Sequence, residues 1–321
     1  MRYLVRCLAH ALILLAAISV LTFFFVELAP GNYFDEMRLN PQISPETVES
    51  LREKYGLDRS LPARYWEWIL SVARGEWGFS FANNLPVAPL LWSRAANTLV
   101  LTLSATLLAW ALAIPLGTWW AAFGERRWWD RLWGFGTAAL LSVPEILLAL
   151  LFLLVALETR AFPSGGMFSV HAAELSTWAR LRDLGWHLIL PGTVLAVSSL
   201  GVLIRHTRAS VAEALAAPYV RAVRARGISE RRLLFRYVLP VAANPLITLF
   251  GFSIGSLLSG SLLVEAVMGW PGLGSLLLEA ILARDLYVVI GAVMCSAIFL
   301  VAGNLVADVL LYLSDPRIRA E

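Results

Sequence analysis

The chain has 321 residues, 59% of them hydrophobic and 15% charged, and its mean hydropathy is +0.69. These values exclude an ordinary soluble domain and indicate a protein that crosses a membrane several times. The net charge of +3 is explained better by basic cytoplasmic loops than by nucleic-acid binding, so the expected partner is the lipid bilayer and not nucleic acid.

Six apolar runs are long enough to cross a bilayer, which takes roughly 20 residues of helix. None shows the alternating pattern of a barrel strand, and only helices or a closed barrel satisfy backbone groups in lipid. We therefore predict an all-α integral membrane protein. The predicted spans are Leu8–Leu28, Thr98–Phe123, Gly136–Leu157, Trp186–Ile204, Val241–Val264 and Leu286–Leu313.

The arginines predict how these spans are oriented, because short cytoplasmic loops carry an excess of basic residues. If the N-terminus is inside, the cytoplasmic side receives Arg2, Arg6, the arginines of residues 126–131 and those of residues 205–236. The two short outer loops then hold only a few. Both the N- and the C-terminus are therefore predicted to be cytoplasmic.

The order of the runs predicts three regions. Residues 1–30 form an N-terminal anchor helix, because their apolar run is longer than that of a typical cleaved signal sequence. Residues 31–96 form an extracytoplasmic loop with two short helices, one capped by Ser44 and ended by Gly56, and one that begins after Leu61-Pro62 and runs to Gly75. Residues 97–321 form a five-helix core that includes a cytoplasmic loop at residues 205–237.

That cytoplasmic loop is unusually basic and has its own helix signals. Between Ile204 and Val238 the chain carries eight arginines and two glutamates. Residues 212–217 favour helix, Pro218 can begin a new turn, and Gly227 can end a short basic helix over residues 219–226. Ser229 can then cap a helix that runs to Val238. A short helix between such breaks is suited to enter a groove on a partner protein.

Motifs for chemistry are mostly absent. A Walker A loop needs a lysine, and the one lysine of the sequence is Lys54, in the outer loop. The four histidines show no metal-ligand spacing, so neither a metal nor a cofactor is expected on this chain. Gly251-Phe252-Ser253-Ile254-Gly255 matches the G-x-S-x-G nucleophile pattern but lies inside an apolar run. Gly251, Gly255 and Ser259 recur every four residues, which favours close helix packing instead.

Acidic residues within or beside the apolar runs are functional candidates, because a charge in the bilayer is costly and faces a bundle interior or a wet cavity. These acids are Glu27, Glu145, Glu265 and Asp308. The strongest candidate is Glu145, since Pro144-Glu145 falls near the middle of the third predicted span. Asp308 lies one turn beyond Asn304 and is expected to form a buried hydrogen-bonded pair.

Gly227, followed by nine residues and then Tyr237-Val238-Leu239-Pro240, resembles the EAA loop of bacterial ABC-importer permeases. Residues 219–232 resemble its dipeptide/oligopeptide/nickel branch in particular. Further similarities extend from about Arg2 to Arg319, and their order and spacing are specific. They are Leu28-Ala29-Pro30-Gly31, Tyr55-Gly56-Leu57-Asp58, Ile114-Pro115-Leu116-Gly117, Glu265 with Trp270-Pro271-Gly272-Leu273-Gly274, Ala283-Arg284-Asp285 and Asp315-Pro316-Arg317.

This resemblance implies a type I ABC importer permease in a bacterial inner membrane, carrying peptides or related small solutes. It implies a second homologous permease subunit, two ATPase subunits that hold ATP and Mg, and an extracytoplasmic substrate-binding protein. The chain itself would have no catalytic residue. Tyr219, Val220 and Val223 would fill an apolar pocket on the ATPase. The residues implied in coupling to the ATPase are Tyr219, Val220, Arg221, Ala222, Val223, Arg224, Ala225, Arg226, Gly227, Leu239 and Pro240.

Alternatives remain for the substrate and for the class of protein. Glu145, with Ser253 and Ser259, is assigned to a candidate translocation pathway, where Glu145 would contact a peptide amino terminus or a divalent metal. A permease for nickel or another cationic solute is therefore the alternative. An ATP-independent secondary transporter would be expected to show paired hydrophobic repeats, and a membrane enzyme a convergent catalytic set.

Overall fold

The computed structural model describes residues 2–28, 44, 46, 48–50, 59–123 and 127–314. Nearly all of them are helical, which confirms the predicted all-α class. The helices are α1 (Arg2–Leu28), α2 (Leu61–Ala73), α3 (Val87–Phe123), α4 (Arg127–Ser142), α5 (Glu145–Thr159), α6 (Thr177–Ala216), α7 (Pro218–Ala225), α8 (Glu230–Leu233), α9 (Leu239–Val267), α10 (Leu273–Leu282) and α11 (Leu286–Ser314).

Three smaller elements complete the described part of the chain. A 3₁₀ turn covers Ala172–Glu174, and a π-helical turn at Leu234–Val238 joins α8 to α9. Strands β1 (Phe79–Ser80) and β2 (Leu85–Pro86) form an antiparallel hairpin. Of the predicted outer helices, Leu61–Ala73 is present as α2. The one predicted to end at Gly56 lies largely outside the described residues, as do the motifs at residues 29–31, 55–58 and 315–317.

Within the described residues, five helical segments are long and apolar enough to cross a membrane. They fall in α1, α3, α6, α11 and the stretch from α8 into α9. A sixth span exists only if α4 and α5 are taken together, and these helices meet at an angle of 88°. The prediction of one continuous third span, Gly136–Leu157, is therefore wrong.

The break between α4 and α5 has a local cause. Pro144 has no backbone N–H and disfavours a helical conformation of the residue before it. Its own backbone is extended, with φ −59° and ψ 140°. As a result, Glu145 is the first residue of α5. The prediction that it lies near the middle of a span is wrong.

Helix α6 is longer than the span predicted inside it. It has 40 residues, which at 1.5 Å per residue is about 60 Å. This is about twice the thickness of the hydrocarbon layer. The predicted span Trp186–Ile204 is thus the middle of the helix, and residues 205–216 are a helical extension rather than a loop. Similarly, α3 begins at Val87, so the predicted region boundary at residue 96 falls inside a continuous helix.

Helices α3, α6 and α9 pack against one another, and α11 lies against α9. The packing of α9 on α11 depends on small residues. A Cβ added to Gly251 would lie 2.3 Å from the Ala307 Cβ and 3.0 Å from the Gly303 carbonyl oxygen, and one on Gly255 would meet the Leu300 side chain. These contacts confirm the predicted packing role of Gly251 and Gly255. The side chain of Ser259 is not among those described.

Gly251→Ala should therefore weaken the packing of α9 on α11. The added methyl group must displace Ala307 or the α11 backbone, and overpacking of this kind costs about 1–3 kcal/mol. We expect a lower midpoint of thermal unfolding in detergent. Gly136→Ala is the matched control, since nothing lies within 4 Å of a Cβ added there and alanine is the better helix former. Equal midpoints for the two variants would contradict the packing role.

Candidate functional site

The short basic helix expected after α6 is present as α7, and its ends follow from local backbone preferences. Ala217 is extended, with φ −62° and ψ 141°, because it precedes Pro218, the first residue of α7. Gly227 lies in the left-handed region at φ +74°, a conformation that commonly terminates helices. The chain therefore leaves α6, forms two turns of helix and reverses within about a dozen residues.

One side of α7 is buried against the chain itself. Val220 is 0% exposed and packs with Val211, Leu233, Leu234 and Val238, while Val223 is partly buried in the same cluster. Tyr219 donates a hydrogen bond from its hydroxyl to the Tyr237 carbonyl oxygen, at 3.1 Å. The expectation that Val220 fills a pocket on a partner is therefore wrong, because the side chain is already enclosed by its own chain.

The other side of α7 faces outward and is basic. Two alanines lie among the arginines, and Tyr219 is also exposed, at 38%. The exposed residues of this basic side are Arg221, Ala222, Arg224 and Ala225, with Arg226 directly after the helix. Arg224 also donates two hydrogen bonds to Glu230, at 2.8 and 3.1 Å, which join α7 to the start of α8. This side offers an acidic partner several guanidinium groups on a fixed backbone.

The return path from α7 to α9 differs from the predicted helix over residues 230–238. The first four residues form α8, but the next five form the π-helical turn. The predicted cap, Ser229, uses its backbone carbonyl to accept the Leu233 N–H at 2.9 Å, and its side chain makes no capping hydrogen bond. Leu239 and Pro240 follow as the first residues of α9. π-Helical turns are frequent at functional sites.

Glu145 is the first residue of α5, directly after the break, and its carboxylate faces Gly260 of α9. Its Oε2 would be 3.2 Å from a Cβ added to Gly260, so the absence of a side chain at Gly260 provides the space for the carboxylate. Its Oε1 is buried and has no hydrogen-bond partner among the described residues. A buried carboxylate oxygen without a donor can accept a hydrogen bond from a cationic group.

Of the two serines predicted to share a pathway with Glu145, Ser253 makes its hydrogen bond within its own helix. Ser253 is buried and donates its hydroxyl to the Leu249 carbonyl oxygen of its own helix, at 2.7 Å. It lies seven residues before Gly260, which is about 10 Å along the helix axis. Ser259 lies in α9, but its side chain is outside the described part.

A second carboxylate, Glu265, is one of the candidate acids of the sequence, but its role as a junction between helices was not predicted. It is fully buried and its oxygens accept four hydrogen bonds. Oε1 accepts the hydroxyls of Thr98 at 2.7 Å and Ser261 at 3.1 Å. Oε2 accepts the backbone N–H groups of Gly274 at 2.7 Å and Ser275 at 3.2 Å. Glu265 therefore joins α3, α9 and the N-terminus of α10.

The Trp270–Gly274 motif provides the backbone for this junction. The Trp270 indole N–H donates to the Asn97 carbonyl oxygen at 3.0 Å, and the Asn97 amide donates to the Pro271 carbonyl oxygen at 2.7 Å. A Cβ on Gly272 would lie 2.4 Å from the Glu265 carboxyl carbon. Gly272 thus allows the N-terminus of α10 to approach the carboxylate, whose charge is favoured by the partial positive charge of that helix end.

Asp285, just before α11, makes a similar junction with the β-hairpin. Its Oδ2 accepts the Ser80 hydroxyl at 2.6 Å and the Ala82 N–H at 3.1 Å. Burial raises the pKa of the Asp285 carboxyl above its ordinary value, and the hydrogen bond from Ser80 offsets part of this rise. Among the described residues, no group of three or more histidine, cysteine, aspartate or glutamate side chains could hold a metal ion.

Glu265→Gln should destabilise the junction of α3, α9 and α10. A glutamine has one acceptor oxygen, so its amide nitrogen would meet donors that now bind a carboxylate, at a cost of about 1–3 kcal/mol. The expected result is a lower midpoint of thermal unfolding in detergent. Glu279→Gln is the matched control, because Glu279 is exposed on α10. An equal midpoint for both variants would show that the network contributes nothing to stability.

Comparison with known proteins gives a consistent assignment over almost the whole chain. The sequence profile described as "Binding-protein-dependent transport system inner membrane component" matches residues 113–320, and a profile for the N-terminal part of such components matches residues 1–102. The chain is 34% identical to the oligopeptide transport system permease protein AppB of Bacillus subtilis, over 98% of each chain. It is 33% identical to the glutathione transport system permease protein GsiC of Escherichia coli K12, over 99% of each.

Proposed function

The chain belongs to the family of inner-membrane components of binding-protein-dependent transport systems, and from this premise we propose that it moves peptides or related small solutes as one permease subunit of an ATP-driven importer. The relatives named for oligopeptide and glutathione transport support this substrate class. The chain is a multi-pass permease of the bacterial inner membrane. The residues that would carry coupling and transport are proposed below.

The proposed assembly contains a second homologous permease, two ATPase subunits and an extracytoplasmic substrate-binding protein. ATP and Mg bind to the ATPase subunits. In support, the sequence lacks the lysine-containing loop that holds nucleotide phosphates, and the family is defined by its dependence on a binding protein. We assign both termini and α7 to the cytoplasmic side, because this orientation places the most basic stretch of the chain inside.

The observation that carries the proposal is the two-sided environment of α7. Its apolar side is enclosed by α6, α8 and the π-helical turn, whereas its basic side is exposed. A helix held in this way transfers a push on its outer side to the elements beneath it. We propose that Arg221, Ala222, Ala225 and Arg226 contact the ATPase. Val220 and Val223 then transmit its ATP-dependent closure, and Leu239 and Pro240 receive it at the start of α9.

Gly227→Asp should weaken the docking of α7 on the ATPase, so that transport and substrate-stimulated ATP hydrolysis fall together. Aspartate tolerates the left-handed backbone of Gly227, and nothing lies within 4 Å of the added Cβ. The variant should therefore fold, but it places a negative charge beside the basic side of α7. We expect uptake and substrate-stimulated ATP hydrolysis by the complete transporter to fall about tenfold, equivalent to ~1.4 kcal/mol of docking free energy.

Gly227→Asn is the matched control for this experiment. Asparagine has nearly the same size and the same tolerance of the left-handed region but no charge. It should retain most of the uptake and hydrolysis in proteoliposomes that contain all subunits. If Gly227→Asp behaves like the unchanged protein, the assignment of α7 as the coupling helix is wrong.

A second candidate function, import of a cationic solute such as nickel or a peptide with a free amino terminus, is favoured by the unpartnered Oε1 of Glu145. The oxygen lies at the break between α4 and α5, and backbone irregularity within a membrane is tolerated if it lines a cavity. We propose that Glu145 contacts the positive group of the substrate as it passes.

Glu145→Gln removes the negative charge at this position and keeps the size of the side chain. Uptake of alanyl-alanine or of Ni²⁺ by the complete transporter should fall about tenfold, as expected for loss of an interaction worth ~1.4 kcal/mol. Glu158→Gln, at the exposed far end of α5, is the control and should leave uptake unchanged. Identical uptake by the two variants for both substrates would remove Glu145 from the pathway.

A further inference from the structure

A cluster of polar contacts lies where the extension of α6 passes α3 and α4, about three to four helical turns before α7. Arg208 of α6 donates a hydrogen bond to Asp130 of α4 at 2.6 Å, and its guanidinium carbon lies 4.3 Å from the ring centroid of Trp120 of α3. The Trp120 indole N–H donates to the same Asp130 oxygen at 3.1 Å. Each of the three side chains thus contacts the other two, and each comes from a different helix.

Arg205, one turn closer to the middle of α6, binds a second point on α4. Its Nε donates to the Thr137 hydroxyl oxygen at 2.9 Å, and its Nη2 donates to the Gly134 carbonyl oxygen at 3.2 Å. A guanidinium group can make both bonds at once because its donors are fixed in one plane. We call Trp120, Asp130, Thr137, Arg205 and Arg208 the arginine clasp. It holds α4 to the extension of α6 at two points.

The backbones around the arginine clasp are also in close contact. A Cβ on Gly117 of α3 would lie 2.6 Å from the Thr207 Cβ and 2.9 Å from the Ile204 carbonyl oxygen. A Cβ on Gly201 of α6 would lie 2.9 Å from the Thr137 carbonyl oxygen. Helices this close cannot slide past one another without breaking contacts, because packed side chains are not continuously deformable. The three helices therefore form one rigid unit at this level.

The position of the arginine clasp connects two sites of the proposed function. On one side, the extension of α6 leads directly into α7. On the other side, α4 ends at Ser142, and the next helix begins after the 88° break with Glu145. The clasp is thus the polar junction between the helix that carries α7 and the helix that leads to the break.

We propose that Arg205 and Arg208 are positioning residues that make α4 move with the α6 extension, so that displacement of α7 is delivered to the break at Pro144 and to Glu145. This rests on the proposed coupling function of α7. The Arg208–Asp130 ion pair is partly exposed, with 39% and 47% of the two side chains accessible. Exposed ion pairs contribute little to folding, so loss of the pair should affect coupling more than stability.

Arg208→Gln, Asp130→Asn and the double variant test the proposal in proteoliposomes that contain all subunits. We expect basal ATP hydrolysis and the thermal unfolding midpoint to stay close to those of the unchanged protein. The amount of alanyl-alanine imported per ATP hydrolysed should fall about fivefold or more, the usual lower range for coupling between sites. The double variant should be no worse than Arg208→Gln alone, because both lack the Arg208–Asp130 ion pair. Arg131→Gln, an exposed arginine next to Asp130, is the control and should retain normal import per ATP.

A distance measurement separates a transmitting role from a purely structural one. Spin labels on the exposed positions Phe135 of α4 and Glu213 of α6 should be the same distance apart with and without ATP in the otherwise unchanged transporter. In Arg208→Gln, this distance should change when ATP is added. Labels on Phe135 and on Leu147 of α5 should change their separation, because movement is expected at the break.

Two results would overturn the proposal while leaving the role of α7 intact. One is a Gly227→Asp variant that loses uptake and substrate-stimulated ATP hydrolysis while Arg208→Gln imports the normal amount of substrate per ATP hydrolysed. The other is a Phe135–Glu213 separation that already changes with ATP in the parent transporter. If Gly227→Asp also retains normal uptake and substrate-stimulated ATP hydrolysis, the failure belongs to the proposed function itself.

Discussion

The apolar contact beneath α7 is the interaction on which the proposed mechanism depends. A helix of eight residues does not persist in water by its own hydrogen bonds, so α7 needs the burial of Val220 among Val211, Leu233, Leu234 and Val238. Full burial of a valine side chain contributes about 1.5–3 kcal/mol. The same burial turns the arginines outward and fixes their direction. Stability and display of the basic surface therefore have one cause.

At Glu265 and Asp285, in contrast to the exposed arginines of α7, acidic side chains are buried inside the protein. Both carboxylates accept hydroxyl and backbone N–H donors from elements distant in the sequence. Helix N-termini and loop ends leave backbone donors without partners, and in or near a membrane water cannot always supply them. The carboxylates satisfy these donors and join the hairpin, α3, α9, α10 and α11. The protein thus displays basic side chains on α7 and, in a separate region, uses buried carboxylates to hold helices and the hairpin together.

The features that were predictable from the sequence are those with a local cause. The apolar runs mark the spans because hydropathy is a property of consecutive residues, and Pro218 and Gly227 mark the ends of α7 because each restricts its own backbone. Residues 212–217 were expected to favour helix, but the continuity of α6 through residues 205–216 was missed because the arginines lower the hydropathy of residues that are still helical. The role of Glu265 was missed because Thr98 is 167 residues away. The inward direction of Val220 depends on α8 and the π-helical turn, whose fold is not visible in the residues of α7.

The π-helical turn at Leu234–Val238 sets how far α9 is rotated about its own axis relative to α8, the helix before it. Such a turn accommodates one residue more than an α-helical turn, which corresponds to about 100° of rotation about the helix axis. That rotation sets the directions of two faces of α9. The face with Gly251 and Gly255 points towards α11, and Gly260 points towards Glu145. The number of residues in this stretch, more than their chemical nature, therefore determines whether the two faces of α9 meet their proper neighbours.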